Sequence, residues 1–181
     1  MALDEPQQPV LERRKEVVAV AGDTEGCVMG FSEWETPQDF YDALDREFGF
    51  TIDVCAKEYN AKHKNYLSPE KDGLSQLWNG VCWMNPPYDR TIGLWVKKAY
   101  EASLSGARVV CLIQGRSSDT IWWHEYVMKA AEIRYAKDRL HFGKNGVYTR
   151  SNISSVVVVF SPLVCGPLET SSIDRFGKRL T

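Results

Sequence analysis

Asn85, Pro86, Pro87 and Tyr88 follow a short apolar run, VCWM, and their four types together suit one chemical problem. The exocyclic amine of a nucleobase, or of an amide, is a poor nucleophile because its lone pair is delocalised into the neighbouring π system. Acceptors that fix both N–H bonds favour a geometry in which that lone pair becomes available. Asn85 offers a side-chain carbonyl and Pro86 a backbone carbonyl. The prolines fix φ and disfavour helical geometry in the residue before each, so both carbonyls can be held in place. Tyr88 supplies a ring on which a planar group can stack. The task is positioning, and no general base of unusual pKa is required. Two other readings stand beside this one. Asn and Pro also favour ordinary turns, and N-P-x-Y is a pattern read by phosphotyrosine-binding domains in exposed tails. The elements around the tetrapeptide decide among them.

From Glu35 onward the helix and strand signals are sharp. In TPQDFYDALDREFG, Thr36 is a natural N-cap and Pro37 suits the first helical position. Phe40, Leu44 and Phe48 then make one apolar stripe, and Gly49 ends the helix. FTIDVCA (50–56) reads as a buried strand, VCWM (81–84) as a second, and ARVVCLIQ (107–114) as a third. Between them TIGLWVKKAYEASLSG (91–106) is a helix with Leu94, Trp95, Ala99 and Ala102 inward. DTIWWHEYVMKAA (119–131) is a further helix, with Trp122 and Trp123 as core and rim and His124 as a packing residue. EIRYAKDRLHF (132–142) holds a short strand and part of a hairpin, and SSVVVVFS (154–161) is the last strand. Strands alternating with helices imply an α/β fold with an open, mostly parallel sheet. Ligands in such sheets sit outside the carboxyl ends of the strands. Asp53–Ala56 and Asn85–Tyr88 both lie at such ends, which argues for a site rather than a turn or an exposed tail. Asp53 gains weight there because a buried carboxylate needs a partner such as an ammonium.

The chain has 181 residues, 44% apolar and 25% charged, as expected of one soluble domain. No run approaches the roughly 20 apolar residues of a membrane span. The polar N-terminus, MALDEPQQPVLERRKE, does not read as a signal peptide. The five scattered cysteines and three histidines lack metal-ligand spacing, so reduced thiols in a cytoplasmic protein without a bound metal are expected. The net charge of −2 hides an asymmetry: residues 1–60 carry 14 acidic and 5 basic side chains, the remainder 10 and 17. A basic C-terminal two-thirds can meet a polyanion, or can simply be a solvated face. Arg134, Lys137, Arg139, Lys144 and Arg150 are the cluster suited to phosphate contacts.

The ordered blocks WETPQDFYDAL, FTIDVCAKEYNAK, DGLSQLW, VCWMNPPYD with a downstream W-x-x-K-A, DTIWWHEYV and RLHF span roughly Trp34 to Phe160. In that order they resemble the small phage-type DNA adenine-N6 methyltransferases. The resemblance implies a Rossmann-like methyltransferase domain, S-adenosylmethionine as cofactor and double-stranded DNA as partner. It implies that Asn85, Pro86 and Tyr88, with Pro87 in the same loop, hold a flipped adenine. It further implies that Asp53, Val54, Cys55 and Ala56 line the methionine end of the cofactor. Trp34, Thr36 and Pro37 resemble the segment that closes over it, and Asp72 in the D-G-L block is a contact to its adenosine. One feature departs from the wider methyltransferase pattern, since DVCAKEYN stands where a glycine-rich loop is expected. The acidic ribose partner is then open, with Glu58 and Glu70 as candidates. NPPY also serves enzymes that methylate a protein glutamine or an RNA guanine; the short chain and missing acidic glycine-rich loop argue against the first. Residues 1–30 are expected as an arm, 31–165 as the methyltransferase domain and 166–181 as a tail. The DNA sequence recognised and the oligomeric state stay open, with loops such as 57–72 and 137–153, or a partner subunit, as the places for recognition.

Overall fold

The computed structural model describes residues 34–144, 146–162 and 166–180. The arm expected over residues 1–30 lies outside them. The strands are β1 Ile52–Asp53, β2 Val81–Met84, β3 Arg108–Gln114, β4 Glu132–Ala136, β5 His141–Lys144, β6 Val147–Arg150, β7 Ser155–Phe160, β8 Glu169–Ile173 and β9 Arg179–Leu180. The helices are α1 Gln38–Phe48, α2 Ile92–Leu104 and α3 Ile121–Glu125. Among the described residues seven strands form one sheet in the order β1-β2-β3-β7-β4-β8-β9, and β5 and β6 form a separate hairpin. β1, β2 and β3 are mutually parallel, β7 runs antiparallel to β3 and β4, and β8 is parallel to β4. This is the α/β, Rossmann-like arrangement with a mostly parallel sheet.

Alternation along the strands divides the core into two layers. Cys82, Met84, Val109, Cys111, Ile113, Val156 and Val158 face α2 and α3. Trp83, Val110, Leu112, Val157 and Val159 face Phe40, Tyr41 and Leu44 of α1. β7 therefore buries every side chain, which its β-branched run suits. Gly49 ends α1 in the left-handed region (φ 67°), and its N–H donates to the Asp45 carbonyl at 2.7 Å.

Several elements differ from the sequence expectations for local physical reasons. The strand expected over 50–56 shortens to Ile52–Asp53, because the chain turns at Asp53 and residues 65–67 run beside it. Asp53 N–H donates to the Asn65 carbonyl, and Leu67 N–H donates to that of Asp53. In α2 the inward positions are Ile92, Val96, Ala99, Ala102 and Ser103, so Leu94 falls on the exposed side and Trp95 is half-buried. The helix expected over 119–131 breaks into α3 and a 3₁₀ turn, Val127–Lys129. The short strand and part-hairpin expected over 132–142 are present as β4, in the main sheet, and β5, which pairs with β6. β7 is not the last strand, since β8 and β9 follow it within the expected tail, and Ile173 is fully buried.

Candidate active site

β1 and β2 deliver Asp53 and Asn85 to the same edge of the sheet, since Asp53 pairs with Trp83, two residues before Asn85. Asn85 Nδ2 donates to Thr36 Oγ1 at 3.1 Å. Thr36 is only 2% exposed, so this bond is sheltered from water. It also corrects the expected helix start: Pro37 occupies the cap position, no side chain caps α1, and the Thr36 hydroxyl meets Asn85 instead. One residue earlier, Glu35 exchanges both backbone hydrogen bonds with Gly143 of β5, at 2.8 and 2.9 Å. The strap before α1 is thereby fastened to the hairpin on one side and to Asn85 on the other. Pro86 is buried. The Tyr88 hydroxyl donates to the Leu112 carbonyl at 3.3 Å, and burial raises its pKa above the usual phenol value.

Two larger clefts and a narrow one between them converge here. The first, about 300 Å³, is walled by Trp34, Tyr88 and Phe142, with Asn85 and residues 149–152. Its three aromatic rings suit a planar group. The second, about 370 Å³, is lined by Cys55, Ala56, Asn60, Asp72, Asp89 and Trp95 among others. The narrow one runs past Trp34, Thr36, Asp53 and Lys62. Asn85 borders all three.

Asp53 is 2% exposed, and its carboxylate accepts the backbone N–H groups of Cys55 (3.2 Å) and Lys62 (3.1 Å). Burial pushes its pKa up to about 6, against the opposing pull of those two bonds and of the Lys62 and His63 charges. Burial likewise depresses the Lys62 ammonium pKa, and Lys62 Nζ donates to Gln38 Oε1 at 3.1 Å. Burial, with the nearby Asp53 and Asp89 charges, raises the Cys55 thiol above its usual range and so disfavours the thiolate. Asp72 is the one non-glycine residue with positive φ (48°) among the described residues. It stands at the cleft mouth just before Gly73, where a Cβ would lie 2.4 Å from the Val54 carbonyl oxygen.

The structure brings most of the expected site residues together. Trp34, Thr36, Asp53, Cys55, Ala56 and Asp72 all border the clefts around Asn85. Val54 turns its side chain into the core, and Pro37 is buried at the start of α1. Glu58 and Glu70 are exposed and line neither cleft; the carboxylates that do are Asp72 and Asp89. Sequence reasoning missed Asp89, whose carboxylate accepts the Thr91 N–H and hydroxyl at 2.7 and 2.6 Å just before α2. It also missed Asn60, which follows directly on the DVCAKEY stretch.

Of the five basic residues expected at phosphates, Arg150 borders the aromatic cleft and Lys137 is exposed. Arg139 and Lys144 are half-buried. Arg134 is a correction. It is 1% exposed and makes two 2.6 Å bonds to Glu47 and one of 2.8 Å to Glu132. A guanidinium so enclosed does not reach a phosphate. Among the described residues no group of three His, Cys, Asp or Glu could hold a metal ion, and no helix is long and apolar enough to cross a membrane.

Residues 30–175 match the family described as DNA N-6-adenine-methyltransferase (Dam). The chain belongs to this family. A relative from Haemophilus phage HP1 (strain HP1c1), named DNA N-6-adenine-methyltransferase, is 34% identical over 136 residues, covering 71% of this chain and 78% of the phage protein. The Dam-family match runs on through Ile173, so β8 falls within it although the sequence reading ended the domain at residue 165.

Proposed function

We propose that this Dam-family chain methylates the N6 amine of an adenine flipped out of double-stranded DNA, with S-adenosylmethionine as donor. The observation that supports this reading is Asn85, bordering the aromatic cleft and the second cleft with its amide nitrogen tied to Thr36. With Nδ2 so engaged, Oδ1 is the end left to accept an N–H from the substrate amine. The Pro86 carbonyl takes the other N–H, and Tyr88, Trp34 and Phe142 enclose the base.

The donor set of the second cleft fits the cofactor: Asp72 or Asp89 for ribose hydroxyls, Trp95 as an aromatic wall, and the buried Asp53 toward an ammonium. When bound, the cofactor supplies an electrophilic methyl group on a sulfonium. The residues of this chain hold the amine in line with it and fix its two N–H bonds. One N–H proton leaves after the nitrogen has become cationic, so no enzymic base is needed. Burial and the nearby Asp53 and Asp89 charges raise the Cys55 pKa, which disfavours the thiolate that methylation at a base carbon uses. Family membership favours adenine over a protein glutamine or RNA guanine. A docking-peptide role suits poorly a loop whose Pro86 is buried and whose Tyr88 is bonded to β3. Such an enzyme acts where the DNA is, in the cytoplasm of a bacterial host.

The test is incubation with methyl-labelled cofactor and unmethylated duplex DNA, followed by nucleoside analysis and mapping of the modified sites. N6-methyladenine is expected; label in cytosine or in protein would refute the reading. Asn85→Ala should lower kcat by about 100- to 1,000-fold with the fold intact, the usual cost of losing one preorganised transition-state partner.

A further inference from the structure

The β5–β6 hairpin is a wall with two used faces. Side chains alternate along a strand. Phe142 and its partner Thr149 border the aromatic cleft, whereas His141 and Tyr148 face a separate cleft of about 470 Å³. Pro37 and Asp39 at the start of α1 form its floor, and Arg175 and Phe176 its far side. These last two belong to the turn between β8 and β9, in the segment expected to be a mere tail.

That turn is built to hold its tip still. The Asp174 carboxylate accepts the N–H groups of Phe176 and Lys178, each at 2.9 Å. The backbone closes through Asp174 N–H to the Lys178 carbonyl and Gly177 N–H to that of Asp174. Gly177 has φ 81° and lies flush on α1, where a Cβ would come within 2.6 Å of Ala43 Cβ and 2.8 Å of the Phe40 carbonyl. Only glycine fits there. The tip thus pinned carries Phe176, 52% exposed, with the Arg175 guanidinium laid over its ring at 4.6 Å. Stacking on a ring orients a guanidinium while leaving its in-plane N–H donors free. Among the described residues no carboxylate pairs with Arg175; Asp39 across the cleft accepts the Phe40 N–H at 2.8 Å through one oxygen. Lys137, whose N–H donates to the Ile173 carbonyl, adds a second cation at the same end of β8.

We propose that the β8–β9 turn is a second DNA-contacting element, in which Arg175, oriented by Phe176, grips a phosphate of the strand flanking the flipped adenine. This rests on the DNA methyltransferase reading and adds to it a contact in a part of the chain given no role above. Adjacency carries it: the hairpin separating this cleft from the aromatic cleft is one layer thick, so a duplex presenting a base on one side passes the other. Tyr148 and His141 complete the groove, and a phosphate supplies an anion to a guanidinium that pairs with no carboxylate among the described residues.

The experiment is a salt titration of binding to a fluorescent duplex of about 20 base pairs carrying the mapped target adenine. Arg175→Ala should weaken binding about tenfold and reduce the slope of log affinity against log salt by about one. Cofactor affinity and kcat at saturating DNA should stay unchanged, and Arg175→Lys should recover most of the slope but less of the affinity. Phe176→Ala should weaken binding with the slope retained, since the charge remains but its orientation is lost. Lys97→Ala, which removes one charge from the outside of α2, serves as control. Equal slopes for Arg175→Ala and parent, or an equal loss in Lys97→Ala, would overturn the contact while leaving the methyltransferase reading intact. A parent protein that methylates no DNA would overturn both.

Discussion

The Thr36–Asn85 bond makes Asn85 an oriented group rather than a merely nearby one. An amide can present either its oxygen or its nitrogen, and only the oxygen can accept from an amine. Thr36→Val keeps the volume and removes the partner of Nδ2, so the amide loses what holds it. A typical net hydrogen bond is about 1 kcal/mol, so kcat should fall about five- to tenfold with KM for DNA unchanged, and Thr36→Ser should restore it. Steady-state kinetics separate the outcomes: a rise in KM alone would place Thr36 in cofactor closure instead. Asp53 offers a pH test beside it. Burial raises its pKa from 3.8 to about 6, so between those values the native protein holds a proton that the unfolded chain does not. Stability from this group is therefore present at low pH and is lost as pH rises from about 4 to 6. A bound ammonium reverses the preference, because it favours the carboxylate. Cofactor affinity should fall below about pH 6, by up to roughly tenfold per unit, and Asp53→Asn should be weaker and flat. Calorimetry finding the same affinity at pH 5 and pH 7 would remove Asp53 from the ammonium contact.

At the scale of elements, the D-G-L loop shows how backbone closeness shapes the second cleft. The Gly73 carbonyl accepts the buried Trp78 Nε1–H at 2.8 Å, and its Cα faces both the Val54 carbonyl and the Trp95 ring. Gly73→Ala must push backbone from backbone, at a cost of about 1–3 kcal/mol. It should lower Tm and weaken cofactor binding while leaving DNA affinity alone; unchanged cofactor binding would mean that Asp72 and its loop lie outside the cofactor's reach. The same closeness explains what was legible in the sequence. VCWM and RVVCLIQ announced themselves because both faces are covered, and a covered strand must be an apolar run. NPPY was legible because four contiguous residues stand at the end of β2, whereas Asp72 came only with the resemblance, since it follows a 3₁₀ turn and no strand. ETSSI did not read as a strand, since its place near the sheet edge asks for one buried residue, Ile173. Leu94 was misplaced because α2 offers Ile92, Val96 and Ala99 as a competing stripe, and the sheet takes that one. The far wall of the aromatic cleft was largely invisible: the Glu35–Gly143 pairing brings Phe142 and residues 149–152 beside Trp34, a contact no local pattern encodes.

Across the whole molecule, the uneven charge distribution is partly answered within the fold. Glu47 comes from the acidic first sixty residues and Arg134 from the basic remainder, and they meet in a bidentate pair. Glu132 joins Arg134 at 2.8 Å, accepts the Ser171 hydroxyl at 3.0 Å and meets Arg179 at 3.0 Å. The network clasps α1, β4, β8 and β9 together, apart from the clefts that Asn85 borders. Removing a central cation should therefore cost stability, not DNA affinity. Arg134→Ala leaves Glu132 enclosed without its main partner, which typically costs about 3–5 kcal/mol and lowers Tm by about 10 °C in a chain of this size. Glu47→Ala should cost much less, because the Glu47 side chain is 40% exposed and water replaces part of the pair. Thermal melts of both variants, with a salt titration of DNA binding below their midpoints, decide the matter. Arg134→Ala should melt early yet keep the parent salt slope, the reverse of Arg175→Ala. A variant that melts normally and loses one unit of slope would return Arg134 to the DNA surface, and the clasp would then not exist in solution.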